Sequence, residues 1–152
     1  AMSLAAAETT LTILRDTSAL ADIAAYGKAM QDGMKRILDA RGIAHSFAGH
    51  PSMGGLFFRE VPPTNYRDWK LSDYSFYDAL AANLIDRGVM CEPDSREPWF
   101  ISAAHDEACL ADTLKAFEEA VDVTIEQTRK GRAAGLWSSH RADSTKEVAA
   151  AE

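Results

Sequence analysis

Two adjacent charged side chains, Arg96 and Glu97, are the residues of this chain best suited to chemistry. Glu97 is followed by Pro98 and Trp99, and a carboxyl group beside a large aromatic ring can lose water and shift its proton affinity. The guanidinium of Arg96 can hold a carboxylate through two parallel hydrogen bonds. Two simpler interpretations stay open: Glu97 as a solvated loop charge paired with Arg96, and Arg96 as a surface charge that balances a nearby carboxylate.

Other polar residues favour structural roles. His45 and His50 flank a glycine turn and lack a third ligand at a workable spacing, so we predict no metal site. Ser52 and Ser102 lack the strand-to-helix turn that surrounds a nucleophilic serine. His105 most simply caps or packs at the start of the helix that follows. We expect no catalytic residue in this group.

A loop between two predicted strands must position Arg96 and Glu97. Residues 89–91 and 99–101 are short apolar runs with the β-branched or aromatic content of strands. Asp106 then offers an N-cap for a helix whose apolar residues recur at helical spacing: Leu110, Leu114, Phe117, Val121 and Ile125. The pattern therefore predicts a unit of strand, loop, strand and helix.

Upstream of this unit the sequence predicts three helices and two more strands. Gly42 and Gly88 are expected to end the second and third helices as C-terminal caps. The two strands should pair antiparallel, and the order ααββαββα indicates an α+β fold with an antiparallel or mixed sheet covered by helices. The expected helices span 1–14, 19–41 and 72–87, and the expected strands span 43–47 and 53–58.

Composition limits the class of protein. A chain of 152 residues is long enough for one domain with its own core. The net charge of −7 offers no field that attracts a phosphate backbone, so we predict no nucleic-acid binding. Cys91 and Cys109 are too few for a disulfide framework, which fits a reducing cytoplasm. No apolar run approaches the ~20 residues of a membrane helix, so we predict no membrane insertion.

Residues 88–105 carry a resemblance to a known family. A glycine and a short apolar run come first, a proline loop with the late Glu97 follows, and an aromatic residue, Ser-Ala-Ala-His and a capped helix complete the motif. This order resembles the C-terminal end of class III pyridoxal-phosphate aminotransferases, and it is most similar to the glutamate-1-semialdehyde aminomutase group. The aminomutases tend to read Glu-Ala-Gly-Phe where this chain has Glu97-Pro98-Trp99-Phe100, a change that narrows the pocket.

The resemblance implies both a domain division and a site. Residues 1–129 would form the C-terminal small domain of a fold-type I pyridoxal-phosphate enzyme with its leading helices, and residues 130–152 a flexible tail. In the family, a glutamate at the position of Glu97 faces the active site. Glu97 and Arg96 thereby become the expected substrate-binding residues, in a full-length enzyme expected to be a cytoplasmic homodimer.

The cofactor lysine is not where the family has it. Pyridoxal-phosphate chemistry needs a lysine that forms the Schiff base and an acidic partner for the pyridine nitrogen. In the family both lie in the large domain, upstream of the resembled region. No lysine here matches that position: Lys28, Lys35, Lys70, Lys115, Lys130 and Lys146. We therefore expect the parent enzyme to transfer amino groups between amino acids and oxo compounds, and this chain alone to bind no cofactor and be inactive.

Alternatives to that assignment stay open. The chain could be a stand-alone interaction domain, or the small subunit of a split enzyme whose partner is a large cofactor-binding domain. Tyr66 and Trp69 predict an exposed aromatic patch of the kind used in domain or subunit contacts. The first helix also starts without the polar lead-in that usually precedes one, a pattern that predicts a truncated chain.

Overall fold

A computed structural model describes residues 2–133 of the chain. The fold of this part is α+β, as the sequence predicts, with helices packed on an antiparallel sheet. In chain order its elements are α1 (Met2–Asp16), α2 (Ala19–Ala40), β1 (Ser46–His50), β2 (Met53–Phe57), α3 (Tyr66–Trp69), α4 (Tyr74–Ile85), β3 (Trp99–Phe100) and α5 (Glu107–Ala133).

The sheet has three antiparallel strands in the order β1-β2-β3. β1 and β2 form a hairpin in which Ser46 lies opposite Phe57 and His50 lies opposite Met53, so the predicted antiparallel pairing is confirmed. β3 adds two residues along the other side of β2, with Met53 opposite Phe100. An edge strand this short exposes few unpaired backbone groups.

β1 starts at Ser46, later than predicted, because the end of α2 uses the preceding residues. Gly42 adopts a φ of 63°, and the Ile43 N–H donates to the Leu38 carbonyl at 3.1 Å. A left-handed glycine followed by such a bond is a common way for a helix to end. Gly88, with a φ of 81°, follows α4 in the same way. Both predicted glycine caps are confirmed.

The strand predicted over residues 89–91 is absent, so the predicted strand-loop-strand-helix unit is wrong in its first member. The Val89 N–H instead donates to the Leu84 carbonyl at 3.0 Å and completes the end of α4. Cys91 is buried in the core. Met90 of the same run is 96% exposed, so the run is buried only in part, and that burial is achieved without strand pairing.

The structure contains one helix that the sequence reading missed. α3 is four residues long, and its N-cap Asn65 accepts hydrogen bonds from the N–H groups of Arg67 at 2.9 Å and Asp68 at 3.0 Å. A segment this short carries no helical periodicity. The observed order is therefore ααββααβα rather than ααββαββα.

One core joins α2, α4 and α5 to the sheet. α4 and α5 also share a buried polar contact, in which the Asn83 amide donates to the Thr124 hydroxyl at 3.0 Å and to Gln127 Oε1 at 2.9 Å. α1 contributes no buried residue. The largest fully buried apolar side chains are Tyr77, Phe117, Met34, Leu38, Leu80, Leu84 and Val121.

α4 is amphipathic. Tyr77, Leu80 and Leu84 are buried, whereas Ile85 is 48% exposed. The buried residues of α4 share one face of the helix, and Ile85 lies beyond the edge of that face. Ile85 lies instead on the outer stripe of the helix, where it lines a cleft.

The turn of the β1-β2 hairpin packs directly on α2. A Cβ atom at Gly27 would lie 2.1 Å from the Pro51 carbonyl oxygen, a contact that no side chain tolerates. Glycine at this position of α2 is therefore required by the close approach of the two backbones.

The two cysteines are free thiols in different surroundings. Cys91 is buried, and burial raises the pKa of its thiol. Cys109 is exposed near the start of α5, where its N–H donates to the N-cap Asp106 at 2.8 Å. That bond confirms the predicted cap of the last helix.

α5 extends to Ala133, past residue 129 where the sequence reading placed the end of the small domain. The flexible tail was predicted over residues 130–152, and its part from residue 134 onward lies outside the described residues and stays a prediction. No helix within residues 2–133 has the length and apolar character needed to cross a membrane.

Candidate functional site: a cleft beside the Arg96 loop

A surface cleft of about 520 Å³ lies between α3, α4 and the loop that carries Arg96. Its floor is one stripe of α4, on which Tyr74, Asp78 and Ile85 repeat at helical spacing. Trp69 and loop residues 93–96 form its walls. The volume is in the range typical of small-molecule sites.

Arg96 is already engaged by a carboxylate of its own loop. Its Nε donates to the two carboxyl oxygens of Asp94 at 2.9 and 3.0 Å, and its backbone N–H donates to the same carboxyl at 2.9 Å. These hydrogen bonds lower the pKa of Asp94 to about 2, so Asp94 is ionised at neutral pH. An incoming carboxylate must therefore compete with Asp94 for the guanidinium.

Three aromatic rings stack beside the same loop. The Trp69 ring centre lies 5.3 Å from that of Tyr66 and 5.2 Å from that of Tyr74, with interplanar angles of 21° and 22°. The Trp69 indole N–H donates to the hydroxyl of the buried Ser95 at 2.9 Å. The Arg96 guanidinium carbon lies 5.4 Å from the Trp69 ring centre. Trp69 thus fixes the loop by a hydrogen bond and by a cation–π contact.

Sequence reasoning did not connect Trp69 to the Arg96 loop. Trp69 was grouped with Tyr66 as an exposed patch, and Tyr66 is indeed 57% exposed, but Trp69 is half-buried against the loop. The Trp69–Ser95 hydrogen bond joins residues 26 positions apart. No spacing rule spans that separation, because tertiary packing alone sets it.

Glu97 is exposed and has neither a hydrogen bond through its side chain nor an ion pair within residues 2–133. Its backbone N–H donates to the Asp94 carbonyl at 3.0 Å, which closes the loop. The adjacent Trp99 is buried, and its indole N–H donates to the Tyr77 hydroxyl at 2.8 Å. The structure thus places Arg96 and Glu97 on one loop, with Arg96 paired to Asp94 rather than to Glu97.

Asp78 is the second carboxylate of the cleft, and no sequence signal singled it out. Burial and the nearby charge of Asp94 raise the pKa of its carboxyl group. Within the described residues it makes no hydrogen bond through its side chain and no ion pair. It is the unpaired charge of the site.

His50, Ser52, Ser102 and His105 lie outside this cleft, in local contacts. His50 Nδ1 lies 2.8 Å from the Ser52 hydroxyl, and His105 Nδ1 lies 3.1 Å from the Ser102 hydroxyl. Both contacts are exposed and join residues two or three positions apart. In the part of the chain that the structure describes, no group of three or more His, Cys, Asp or Glu residues could hold a metal ion.

Comparison with known proteins relates this chain to one family of sequences. A protein from Thermus thermophilus named glutamate-1-semialdehyde 2,1-aminomutase is 34% identical over 95 residues, which cover 62% of this chain and 22% of that protein. A protein of the same name from Bacillus subtilis is 31% identical over 93 residues, covering 61% and 22%. The chain thus spans only about 22% of the length of these relatives. No family model matches it.

Solved structures agree with the sequence comparison. The FumI protein from Sphingopyxis sp. MTA144, in its PLP internal aldimine form, superposes with a TM-score of 0.67 and 28% identity over 80% of this chain and 27% of that chain. An omega-transaminase from Sphaerobacter thermophilus gives a TM-score of 0.60 at 20% identity, covering 68% and 24%, and shows the fold alone. This chain is therefore similar to the C-terminal part of class III aminotransferase-like proteins. The resemblance drawn from residues 88–105 is confirmed.

The described residues of this aminotransferase-like chain do not fit a Schiff-base site for pyridoxal phosphate. Each lysine in residues 2–133 is exposed, and none lines the cleft. Three of them form ion pairs one helical turn away: Lys28 with Asp32, Lys35 with Asp39 and Lys130 with Glu126. A Schiff-base lysine is instead desolvated or placed beside another cation, so no step of cofactor chemistry is assigned to these residues.

Proposed function

We propose that this chain acts as the C-terminal small domain of a class III pyridoxal-phosphate enzyme that transfers amino groups between amino acids and oxo compounds. The observation that carries the proposal is the combined likeness: 34% identity to an aminomutase over 95 residues, and a TM-score of 0.67 to a PLP-containing protein. The lysine and the cofactor would come from a large domain, and the assembled enzyme would be a cytoplasmic homodimer.

In this proposal the loop of residues 92–97 covers the substrate. The exposed Glu97 carboxylate has no partner within residues 2–133, which leaves it available to a substrate amino group. Arg96 receives a substrate carboxylate by exchange with Asp94, whose hydrogen bonds hold the guanidinium in place until then. Arg96 and Glu97 are thus proposed as substrate-binding residues.

The decisive test is a reassembled enzyme. The chain is mixed with a large domain of the Thermus thermophilus aminomutase that ends where the similarity begins. We expect the two to co-elute on size-exclusion chromatography and to show amino transfer that neither part has alone. Glu97→Gln should lower the rate in the assembled pair, whereas the matched change Glu60→Gln, at an exposed residue outside the loop, should not.

The opposite result of the same experiment favours the alternative function. A monodisperse monomer that neither binds the large domain nor restores transfer would support a stand-alone interaction domain. Binding without transfer in the wild-type pair would support a partner role while removing the catalytic proposal.

The cofactor expectation has its own measurement. We expect the isolated chain, incubated with pyridoxal phosphate and then reduced with borohydride, to keep its unmodified mass, because its described lysines are solvated surface residues. A full-length relative treated in parallel should gain one cofactor adduct. A stoichiometric adduct at one lysine of this chain would overturn the prediction.

A further inference from the structure

We propose that the cleft between Trp69, Asp78 and the Arg96 loop binds a small organic cation: a protonated amine or quaternary ammonium group attached to an apolar body. This binding goes beyond the proposed amino-transfer role. It requires neither the cofactor nor a large domain, and so it can be tested on the chain alone.

The charge of the cleft selects a cation. Its charged lining residues are Asp78, Asp94 and Arg96. Asp94 and Arg96 neutralise each other through their ion pair. Asp78 has no such partner within residues 2–133, which leaves the lining with one uncompensated negative charge.

The environment of Asp78 adds a second reason. Partial burial and the charge of Asp94 both raise the pKa of the Asp78 carboxyl, while the residue as a whole is exposed to solvent. A cation placed beside Asp78 would favour its ionised form, and a ligand can reach that carboxyl from solvent because it lies on the floor of the cleft.

The remaining walls suit an apolar body. Trp69 and Tyr74 supply aromatic surface, and Pro93 and Ile85 supply aliphatic surface. Aromatic rings also attract cations, and the Arg96 guanidinium, 5.4 Å from the Trp69 ring centre, already makes such a contact. The volume of about 520 Å³ accommodates an amine that carries one aromatic or branched alkyl group.

An anionic ligand fits the cleft less well while the ion pair between Asp94 and Arg96 is formed. Its only basic partner in the lining is Arg96, and Asp94 already accepts from that guanidinium. An anion would also lie near Asp78, a charge of like sign. The proposal therefore commits to the cationic class.

The test uses three ligands of one shape and different charge: 2-phenylethylamine, 2-phenylethanol and phenylacetate. Each is titrated into the ¹⁵N-labelled chain at neutral pH while the Trp69 indole N–H signal is followed by NMR, with Trp69→Phe used to assign it. The Trp69 indole N–H donates a hydrogen bond to the Ser95 hydroxyl at the cleft wall, so its chemical shift reports whether a ligand occupies the cleft. We expect the Trp69 indole signal to shift saturably with 2-phenylethylamine and not with 2-phenylethanol or phenylacetate.

Asp78→Asn should weaken amine binding by roughly two- to fivefold, as expected for the loss of an exposed ion pair. Asp112→Asn is the matched control, because Asp112 is exposed on α5 and the change in net charge is the same. Equal weakening in both variants would mean attraction to net charge alone and would overturn the site.

The other outcomes are equally decisive. Equal binding of the alcohol would make the cleft a hydrophobic site without charge selection. Preferential binding of phenylacetate would instead support Arg96 as a carboxylate-binding residue. No saturable shift with any of the three ligands would remove the ligand site while leaving the proposed small-domain function untouched.

Discussion

Asp78 and Asp94 line one cleft, and their surroundings shift the pKa values of their carboxyl groups in opposite directions. Hydrogen bonds from Arg96 lower the pKa of Asp94 to about 2, whereas burial and the charge of Asp94 raise the pKa of Asp78. The cleft thereby holds one carboxylate, Asp94, that stabilises the fold when ionised and another, Asp78, that opposes it. This contrast makes Asp78 the residue at which a stability measurement is most informative.

Asp78→Asn should raise the free energy of unfolding by a few tenths of a kcal/mol at neutral pH, an effect of the size typical for surface substitutions. Because the folded-state pKa of Asp78 is raised, its charge reduces stability once the pH rises through the carboxyl range. The difference between variant and wild type should therefore vanish at acid pH, below both pKa values. Urea unfolding over a pH series measures this difference in the free energy of unfolding. A variant less stable at neutral pH would reveal a native partner of Asp78.

Residues governed by one local rule could be predicted from sequence. The caps Gly42, Gly88 and Asp106 are such cases, because helix ends need a left-handed glycine or a side-chain acceptor. The partner of Arg96 could not be chosen in advance, since several carboxylates lie nearby in the chain. The turn that bonds the Glu97 N–H to the Asp94 carbonyl decides it.

Between elements, one ion-pair cluster joins the end of α2 to α5. Arg41, whose side chain is only 18% exposed, donates to Asp122 at 2.9 Å and to Glu118 at 3.1 Å. These bonds lower the pKa of Asp122, chiefly through the hydrogen bond from Arg41. The cluster therefore ties the two helices in a pH-dependent way.

Arg41→Met should lower the free energy of unfolding by about 1 kcal/mol at neutral pH. Since the folded-state pKa of Asp122 is lowered, the contribution is present above the ordinary carboxyl pKa and is lost as the pH falls through the lowered value. Lys28→Met removes only an exposed pair one helical turn apart and should cost less. Chemical denaturation at neutral and acid pH compares the two. Equal costs at both pH values would contradict the electrostatic explanation.

The packing of the hairpin on α2 gives a prediction with a definite sign. Gly→Ala inside a helix ordinarily stabilises by roughly 0.5–1 kcal/mol. Gly27→Ala should instead destabilise, because the new methyl group meets the Pro51 carbonyl at 2.1 Å. Gly33→Ala is the matched control, since its methyl group meets the flexible end of Leu114, which can move. Thermal unfolding should show the larger loss for Gly27→Ala, and a stabilised Gly27→Ala variant would refute the close approach.

Long helices could be predicted from the sequence more accurately than short segments. Helical periodicity over many residues located α2, α4 and α5, with errors only at their ends. The four-residue α3 gives no such signal, and the apolar run at 89–91 predicts a strand although Cys91 is buried without strand pairing. Tertiary contacts decide segments this short.

Over the whole described molecule, stability is unevenly distributed. The core is built from α2, α4, α5 and the sheet, and α1 buries none of its residues. A helix without buried apolar contacts depends on its weak intrinsic propensity. The fold class could be predicted from element order. The independence of α1 from the core could not, because Leu4, Leu11 and Leu14 recur at helical spacing, a pattern typical of a buried face.

Removal of residues 1–16 should change the free energy of unfolding of the remainder by less than about 0.5 kcal/mol, as for changes outside the core. Amides of α1 should also exchange with solvent faster than those of α2 and α5. Leu38→Ala, at a fully buried residue, should cost about 2–5 kcal/mol and serves as the positive control. A truncated chain that no longer unfolds cooperatively would show that α1 belongs to the core.

Because Cys91 is buried and Cys109 is exposed, the native sequence offers one accessible thiol for labelling. The thiolate is the form of cysteine that reacts readily with maleimides. Cys91 is buried, and burial raises the pKa of its thiol, so it should react slowly. A dye added at neutral pH should accordingly mark Cys109 alone, at the start of α5. Energy transfer from that single dye to a tagged large domain would report assembly in real time, in the native sequence.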